Sequence, residues 1–473
     1  MMKILKDTSE NQKRLESLFA TSADVRIESL ESPDRPDEPK MLLAYAPGLC
    51  DLSRLEEIVL PKLRQLLGSQ PQLGRTKSML SELALPSARA VEYFEETARE
   101  VFQGRLVVIS AGVGFSIDIC GKPNRSPDDS KFEVSLFGPR DGFIEDLTTN
   151  VALVRKRLNS LSLCVEEFAV GELNQTRVCL LYMDGRVNKS ALEEFRARLI
   201  STKVEIIESN VEYVEMLGSS RYNFMPKYRL TGRPDFVMSS LRKGKFAVLV
   251  DGIPSALLAP INLSFMLTTA DDPLVSFPFI VFERFLRYAA FVIALLAPGF
   301  YVGITSLHPD QVPLSLLATL VNSRMGLPLP TPLEAFLMLI LFEIFKESGT
   351  HLPQPAGNTL SVVGGLIIGD AAIRAGMASP ALVVVVSASA VSLYAVTNHA
   401  LASIISILRL GILGLSSFFG LYGFILSCIF VTVYFSHVRS FGMPFLGPLS
   451  PFRWQIFKQT HIAAWPKRER KRV

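Results

Sequence analysis

The sequence predicts an α+β cytosolic N-terminal domain of two lobes, followed by an α-helical polytopic transmembrane domain. Three observations carry that expectation. Charge divides unevenly: 14 Lys+Arg and 7 Asp+Glu lie from Val281 to the end, against 35 and 38 before it. Three runs, Tyr288–Pro309, Ala375–Leu408 and Leu410–Val438, hold no Asp, Glu, Lys or Arg. Before residue 281 the pattern instead alternates β-rich strings with amphipathic helical ones. Hydrophobic residues make up 49% of the 473 and charged residues 20%. A soluble fold that buried all three runs would be left with little polar surface.

Residues 1–40 read as a flexible lead that ends in the linker-like string SPDRPDEPK. A first α/β lobe with a connecting helix is expected over 41–158. In it KMLLAYAPGLC gives a strand and turn, and DLSRLEEIVLPKLRQLL and SARAVEYFEETAREVFQG give helices. RLVVISAGVGFSIDI gives a hairpin broken by glycine. A second α/β lobe is expected over 159–280. TRVCLLYMDGRVN reads as strand and turn, KSALEEFRARLIST as helix, KVEIIES as strand and NVEYVEML as helix. KFAVLVDGIPSALLAP sets two apolar runs about Asp251-Gly252, a pair suited to a two-residue hairpin turn. No repeat of fixed period is visible.

The transmembrane domain is expected over 281–440, with about four spans at 288–308, 332–349, 380–404 and 410–437, against a hydrocarbon core of about 30 Å. Arg409 then falls in a short outer turn. The tail 441–473 carries seven Lys/Arg to one Glu in RWQIFKQTHIAAWPKRERKRV, so it is expected in the cytoplasm. The opening MMKILKDTSENQKRLESLFATSADVR has no apolar core of a signal peptide, so the N-terminus is expected there too.

Cys50, Cys120, Cys164, Cys179 and Cys428 are scattered and form no C-x-x-C pair, and the five His show no ligand spacing. No P-loop, nucleophile elbow or zinc-protease helix is present. No cofactor, metal, catalytic residue, enzyme activity or nucleic-acid partner is therefore expected.

The block GPRDGFIEDLTTNVALVRKRL, Gly138–Leu158, predicts a charge-graded amphipathic helix. Asp141 is placed to cap it, Glu145 and Asp146 lie in its first turns, and Arg155, Lys156 and Arg157 lie near its end. Ile144, Leu147, Val151, Val154 and Leu158 form one apolar stripe. With Arg140, these charged residues are candidates for coupling the lobes to each other or to a neighbouring subunit. A plain connecting helix is the alternative.

The same block resembles one found in the A subunits of spore germinant receptors, the GerA family. ERFLRYAAFVIALLAPGFYVGITSLHPDQVPLSLL resembles a further family block. So do PLPTPLEAFLMLILFEIFKESGTHLPQPAGNTLSVVGGLIIGDAAIRAGMASPALVVVVS and LYGFILSCIFVTVYFSHVRSFGMPFLGP, in the family's order. The similarity runs from about Ser110 to Pro451 and extends to a close paralogue, the stage V sporulation protein AF. Gln354 stands where the family usually has Lys. The resemblance implies a multi-pass protein of the spore inner membrane. It also implies a transporter-like B subunit and a lipoprotein C subunit as partners, and a homo-oligomer forming a nutrient-gated cation channel. A membrane scaffold that couples a sensor to a separate channel is the alternative.

Within PLEAFLMLILFEIFKESG, Glu343, Lys346 and Glu347 share one helix face. Ionised groups are costly against lipid, by roughly 2.5–3.5 kcal/mol each at mid-membrane. That face is expected to meet a partner helix, water or headgroups. Either it borders the ion path, with Glu334 about 13 Å away, or Lys346 forms an internal pair with Glu343 or with Glu347. The segment 351–376, rich in Pro and Gly, is expected to be re-entrant or interfacial, with an ordinary cytosolic loop and a helix behind it as the alternative. The topology is checked by adding a cysteine after Val473 and labelling intact cells with an impermeant reagent. No labelling from outside is expected; labelling would reverse the orientation.

Overall fold

Alternating apolar strings in the front half form two antiparallel sheets, and the apolar runs behind them form helices. The computed structural model describes residues 2–31, 41–68, 88–110, 112–121, 138–201, 225–350, 367 and 369–447. The chain divides into two units, Met1–Arg221 with Tyr228–Pro260, and Tyr222–Lys227 with Ile261–Val473.

The first unit opens with α1 (Thr8–Leu18), β1 (Arg26–Leu30) and β2 (Met41–Tyr45). The expected flexible lead therefore carries ordered elements: Leu15 and Phe19 are buried against the sheet, which repays the ordering of these residues. The string SPDRPDEPK lies outside the described residues. A π-helical turn at Leu55–Val59 runs into α2 (Leu60–Gly68). Then come β3 (Arg89–Val91), α3 (Phe94–Phe102), β4 (Arg105–Ser110) and β5 (Val113–Asp118). The start of SARAVEYFEETAREVFQG is thus strand, not helix, because Arg89–Val91 pairs with Gly114–Ser116 at the sheet edge. The sheet order is β1-β2-β4-β5-β3. Met41, Leu43, Leu106, Val108 and Phe115 face Leu55, Val59 and Leu63, while Leu42, Ala44, Val107 and Ile109 face α1 and α3. A sheet covered on both faces explains why its strands read as continuous apolar strings.

The second half of this unit has α4 (Leu147–Arg157), β6 (Leu163–Val170), β7 (Thr176–Met183) and α5 (Lys189–Ser201). It continues with β8 (Arg229–Thr231), α6 (Pro234–Arg242), β9 (Phe246–Val250) and β10 (Ala256–Ala259). The strings KVEIIES and NVEYVEML lie outside the described residues. The sheet order is β6-β7-β9-β10-β8, the same as in the first half. The two halves are one fold used twice, although the sequence shows no repeat of fixed period. Asp7 and Asp146 cap α1 and α4. Four residues on, the Asn11 side chain accepts from Leu5 N at 3.0 Å and donates to Leu5 O. Asn150 does the same to Ile144. Each carboxamide thereby satisfies both polar groups of a peptide ahead of the helix. Gly104 and Gly244 both have φ +81°, and Gly112 and Gly252 both have φ +82°. These glycines begin and turn the hairpins β4–β5 and β9–β10. The hairpin at Asp251-Gly252 is present but wider than two residues, because pairing closes at Ala256 with Leu249. Its turn is held elsewhere: Gly252 N donates to Glu145 O at 2.8 Å, and Asp251 Oδ1 accepts from Leu147 N at 3.1 Å.

In the second unit, α7 (Phe277–Leu307) is followed by α8 (Leu314–Ser323), α9 (Thr331–Thr350), α10 (Pro380–Tyr394) and α11 (His399–His437). Two of the described helices, α7 and α11, are long and apolar enough to cross a membrane. The helix breaks differ from those expected. The chain leaves helix after Tyr394 and restarts at His399, where Asn398 Oδ1 accepts from Leu401 N. It is helical straight through Arg409. The next break is Gly420, with φ 60° and ψ −138°. A straight helix of 39 residues would be about 58 Å long, far beyond one span. Instead a Cβ on Gly423 would run into the Leu415 carbonyl, so the chain folds back at Gly420 and α11 is a helical hairpin. A Cβ at Gly420 would stand 2.6 Å from His308 Nδ1, which accepts from Leu421 N. Of the expected re-entrant segment, 351–366 and 368 lie outside the described residues, and 369–374 are helical. The tail from 448 onward lies outside them too.

One difference between the two like halves is testable. Arg105, buried at the start of β4, pairs with Glu100 at 3.2 Å. Lys245 stands at the equivalent place, just before β9, and Ser240 stands where Glu100 does. Burial first, then the charges of Lys243 and Arg229, bring the Lys245 ammonium down to about 7. Between that value and the ordinary lysine range the unfolded chain binds the extra proton, so stability rises with pH there. The slope reaches at most about 1.4 kcal/mol per pH unit. Calorimetric unfolding from pH 7 to 10 should show this gain in the native chain and a smaller one in Lys245→Met.

Candidate functional site

The block Gly138–Leu158 gives one candidate site. Its helix begins at Leu147, and Asp146 is the cap, its carboxylate accepting from Thr149 N at 2.8 Å. Asp141 is not the cap, because five residues separate it from the first helical turn; it pairs with Arg157, which also donates to Leu153 O at 3.2 Å. Glu145 and Asp146 precede the helix instead of lying within it. Arg140 and Lys156 are exposed. Arg155 is fully buried. Its guanidinium takes both oxygens of Asp24, at 2.8 and 2.6 Å, donates to Leu163 O at 2.8 Å, and lies 4.3 Å over the Phe102 ring. Asp24 and Phe102 belong to the first half of the fold and Leu163 to the second. Arg155 therefore joins the halves, and the three basic residues differ in what they do. Val165 adds to the join by pairing with Thr21 and Ala23 through 2.8 and 3.0 Å backbone bonds. Beside Arg155 a cleft of about 420 Å³ is lined by Arg26, Gly48, Thr148, Glu167 and Arg177 among others.

The acidic helix α9 gives the second. Glu343 is bound internally: Lys346 Nζ lies 2.6 Å from it, and Arg409 of α11 holds its other oxygen. Lys346 donates to Ser406 Oγ at 2.9 Å. Arg409 donates to Ser389 Oγ at 3.3 Å, and Ser389 donates to Ala294 O at 2.9 Å. One polar chain thus links α9, α11, α10 and α7 inside apolar surroundings. Arg409, placed by the sequence in an outer turn, is 1% exposed. Its signal was visible as the one charge between two long uncharged runs, but its partner stands 66 residues away. Glu334 is also internal, accepting from Arg324 at 3.3 Å and from Ser379 N at 3.1 Å. Glu347 is exposed. Among the described residues, no three His, Cys, Asp or Glu gather to hold a metal.

The chain therefore joins a duplicated α/β unit to an apolar helical unit in which Glu334, Glu343 and Arg409 turn inward. The model of the Bacillus/Clostridium GerA spore germination protein family matches residues 13–473, and the chain belongs to that family. It is 36% identical to spore germination protein XA of Bacillus anthracis, covering 93% of this chain and 90% of that one. It is 31% identical to spore germination protein KA of Bacillus subtilis, covering 96% and 83%. A crystal structure of the N-terminal domain of the A subunit of the Bacillus megaterium germinant receptor GerK3 is similar at 21% identity. It covers 55% of this chain and 96% of that one, with a TM-score of 0.42. The family model and the two curated relatives bear out the resemblance to germinant-receptor A subunits read from the sequence.

Removing Arg155 leaves Asp24 uncompensated at a nearly closed join. Arg155→Gln should cost about 3–5 kcal/mol, whereas Lys156→Gln should stay within about 0.5 kcal/mol. Denaturant midpoints of the purified variants check this; equal midpoints would remove Arg155 from the join.

Proposed function

We propose that this chain is the A-type subunit of a nutrient receptor in the spore inner membrane, and that its helical unit contributes to an oligomeric cation channel. The spans are then multi-pass, with both termini cytoplasmic. A transporter-like B subunit and a lipoprotein C subunit are its partners, and it has no enzymatic role. One observation carries the membrane part of this reading: the surface of α11 is inside out. Phe418, Phe430 and Val433 are exposed at 82, 63 and 62%, while Ser416, Ser427 and Arg409 are buried. That pattern suits a helix whose solvent is hydrocarbon. Multiple copies around an axis would then bring exposed Glu347 side chains together, and a ring of acids favours cations over anions.

A second reading follows from the pairing of Glu343 and Glu334. Carboxylates used up within one chain support a scaffold that couples a sensing subunit to a separate channel. Bilayer conductance of the purified chain and its variants separates the two. In a channel former, Glu347→Gln should lower cation selectivity at normal abundance, and Glu343→Gln should lower abundance instead by leaving Lys346 and Arg409 unbalanced. Absence of conductance under every activating condition would favour the scaffold.

A further inference from the structure

We infer that Cys50 and Cys120 form an oxidisable dithiol, a covalent modification site that closes as a reversible disulfide under peroxide. The two face each other in an isolated antiparallel bridge between the loop after β2 and the end of β5. The flanking bonds define the pairing: Asp51 N donates to Ile119 O at 2.8 Å and Gly121 N to Leu49 O at 3.1 Å. Cys50 and Cys120 are therefore a non-hydrogen-bonded pair, the kind in which Cα atoms stand about 4.5 Å apart with side chains on the same face. A disulfide requires a Cα separation of about 4.4–6.8 Å. A pair of this kind therefore falls within the range a disulfide needs.

The surroundings fit the chemistry. Cys120 is exposed and open to a small oxidant, whereas Cys50 is buried. Gly104 leaves the space beside Cys120, since a Cβ there would stand 3.1 Å from its sulfur. Cys164 and Cys179 are buried and paired across the sheet with Tyr182 and Glu167, not with each other. Hydrogen peroxide would oxidise the Cys120 thiol to a sulfenic acid and release one water. The Cys50 sulfur then attacks that sulfur, loses its proton and expels the hydroxyl as a second water, so the two thiols together reduce one peroxide. Burial pushes the Cys50 thiol up to about 12. The closing step should thus speed about tenfold per pH unit as its thiolate fraction grows.

Closure has a structural consequence. Pro47–Leu49 lines the cleft, and Gly48 abuts α4 so closely that a Cβ would meet Thr148 O at 2.8 Å. A bond at Cys50 would fasten this wall to the sheet.

The test uses the full chain in detergent, treated with hydrogen peroxide, blocked at remaining thiols and digested. The expected product is a Cys50–Cys120 peptide two hydrogens lighter than its parts. Titratable thiols should fall from five to three, dithiothreitol should restore them, and closure should be faster at about pH 9 than at about pH 8. Cys120→Ser, a mild change at an exposed position, should abolish the linked peptide and leave Cys50 unoxidised. Conversion of Cys120 to sulfinic acid beside an unmodified Cys50, or linkage only between molecules, would overturn the inference.

Discussion

A guanidinium buried in an apolar helical unit has to be neutralised, and Arg409 organises the helices of the second unit around that need. Breaking a buried pair costs several kcal/mol because a bare charge remains. Arg409 therefore fixes which face of α9 meets α11. Glu343 and Lys346 must turn inward to reach it and Ser406, and Ser389 must turn inward to accept from it. The apolar side chains of the same helices are left on the outside. Close approach of α7 and α11 adds to this. A Cβ on Gly299 would stand 2.6 Å from the Ile412 side chain, and one on Gly303 would press at 3.1 Å on the Gly420 carbonyl.

In the first unit the comparable requirement is that the chain entering each half be fully hydrogen bonded. One solution occurs twice: an aspartate caps the helix and an asparagine four residues later clamps the peptide before it. The two halves then differ where they meet. Arg155 of α4 reaches across to Asp24 and Phe102; by the same alignment Glu16 stands in its place in α1, and Arg14, two residues nearer the N-terminus, pairs with Glu10 within that helix. A duplicated fold thus acquires a specific join through a residue present in one copy.

Much of this was legible locally. β4 and β5 were readable as a hairpin, α2 and α5 as helices, and α9 as the charged apolar helix, because each signal lies within one short window. What failed depended on distance. Asp141 and Asp146 both suit a cap, and only the turn at Asp251, more than 100 residues away, fixes the start of α4. Arg409 looked like a loop residue because Glu343 is remote in sequence. Gly420 was one glycine among several, and the backbone conformation that turns the chain there is visible only in three dimensions. The repeat escaped because few positions of the two halves share identity while their sheet orders agree throughout.

The central claim is that Glu343 and Arg409 neutralise each other inside the helical unit. The most direct measurement is membrane abundance of Glu343→Arg, Arg409→Glu and the double exchange. Each single change should leave like charges together and lower abundance strongly, and the exchange should recover a substantial part of it. Singles at normal abundance, or an exchange no better than either single, would contradict the account.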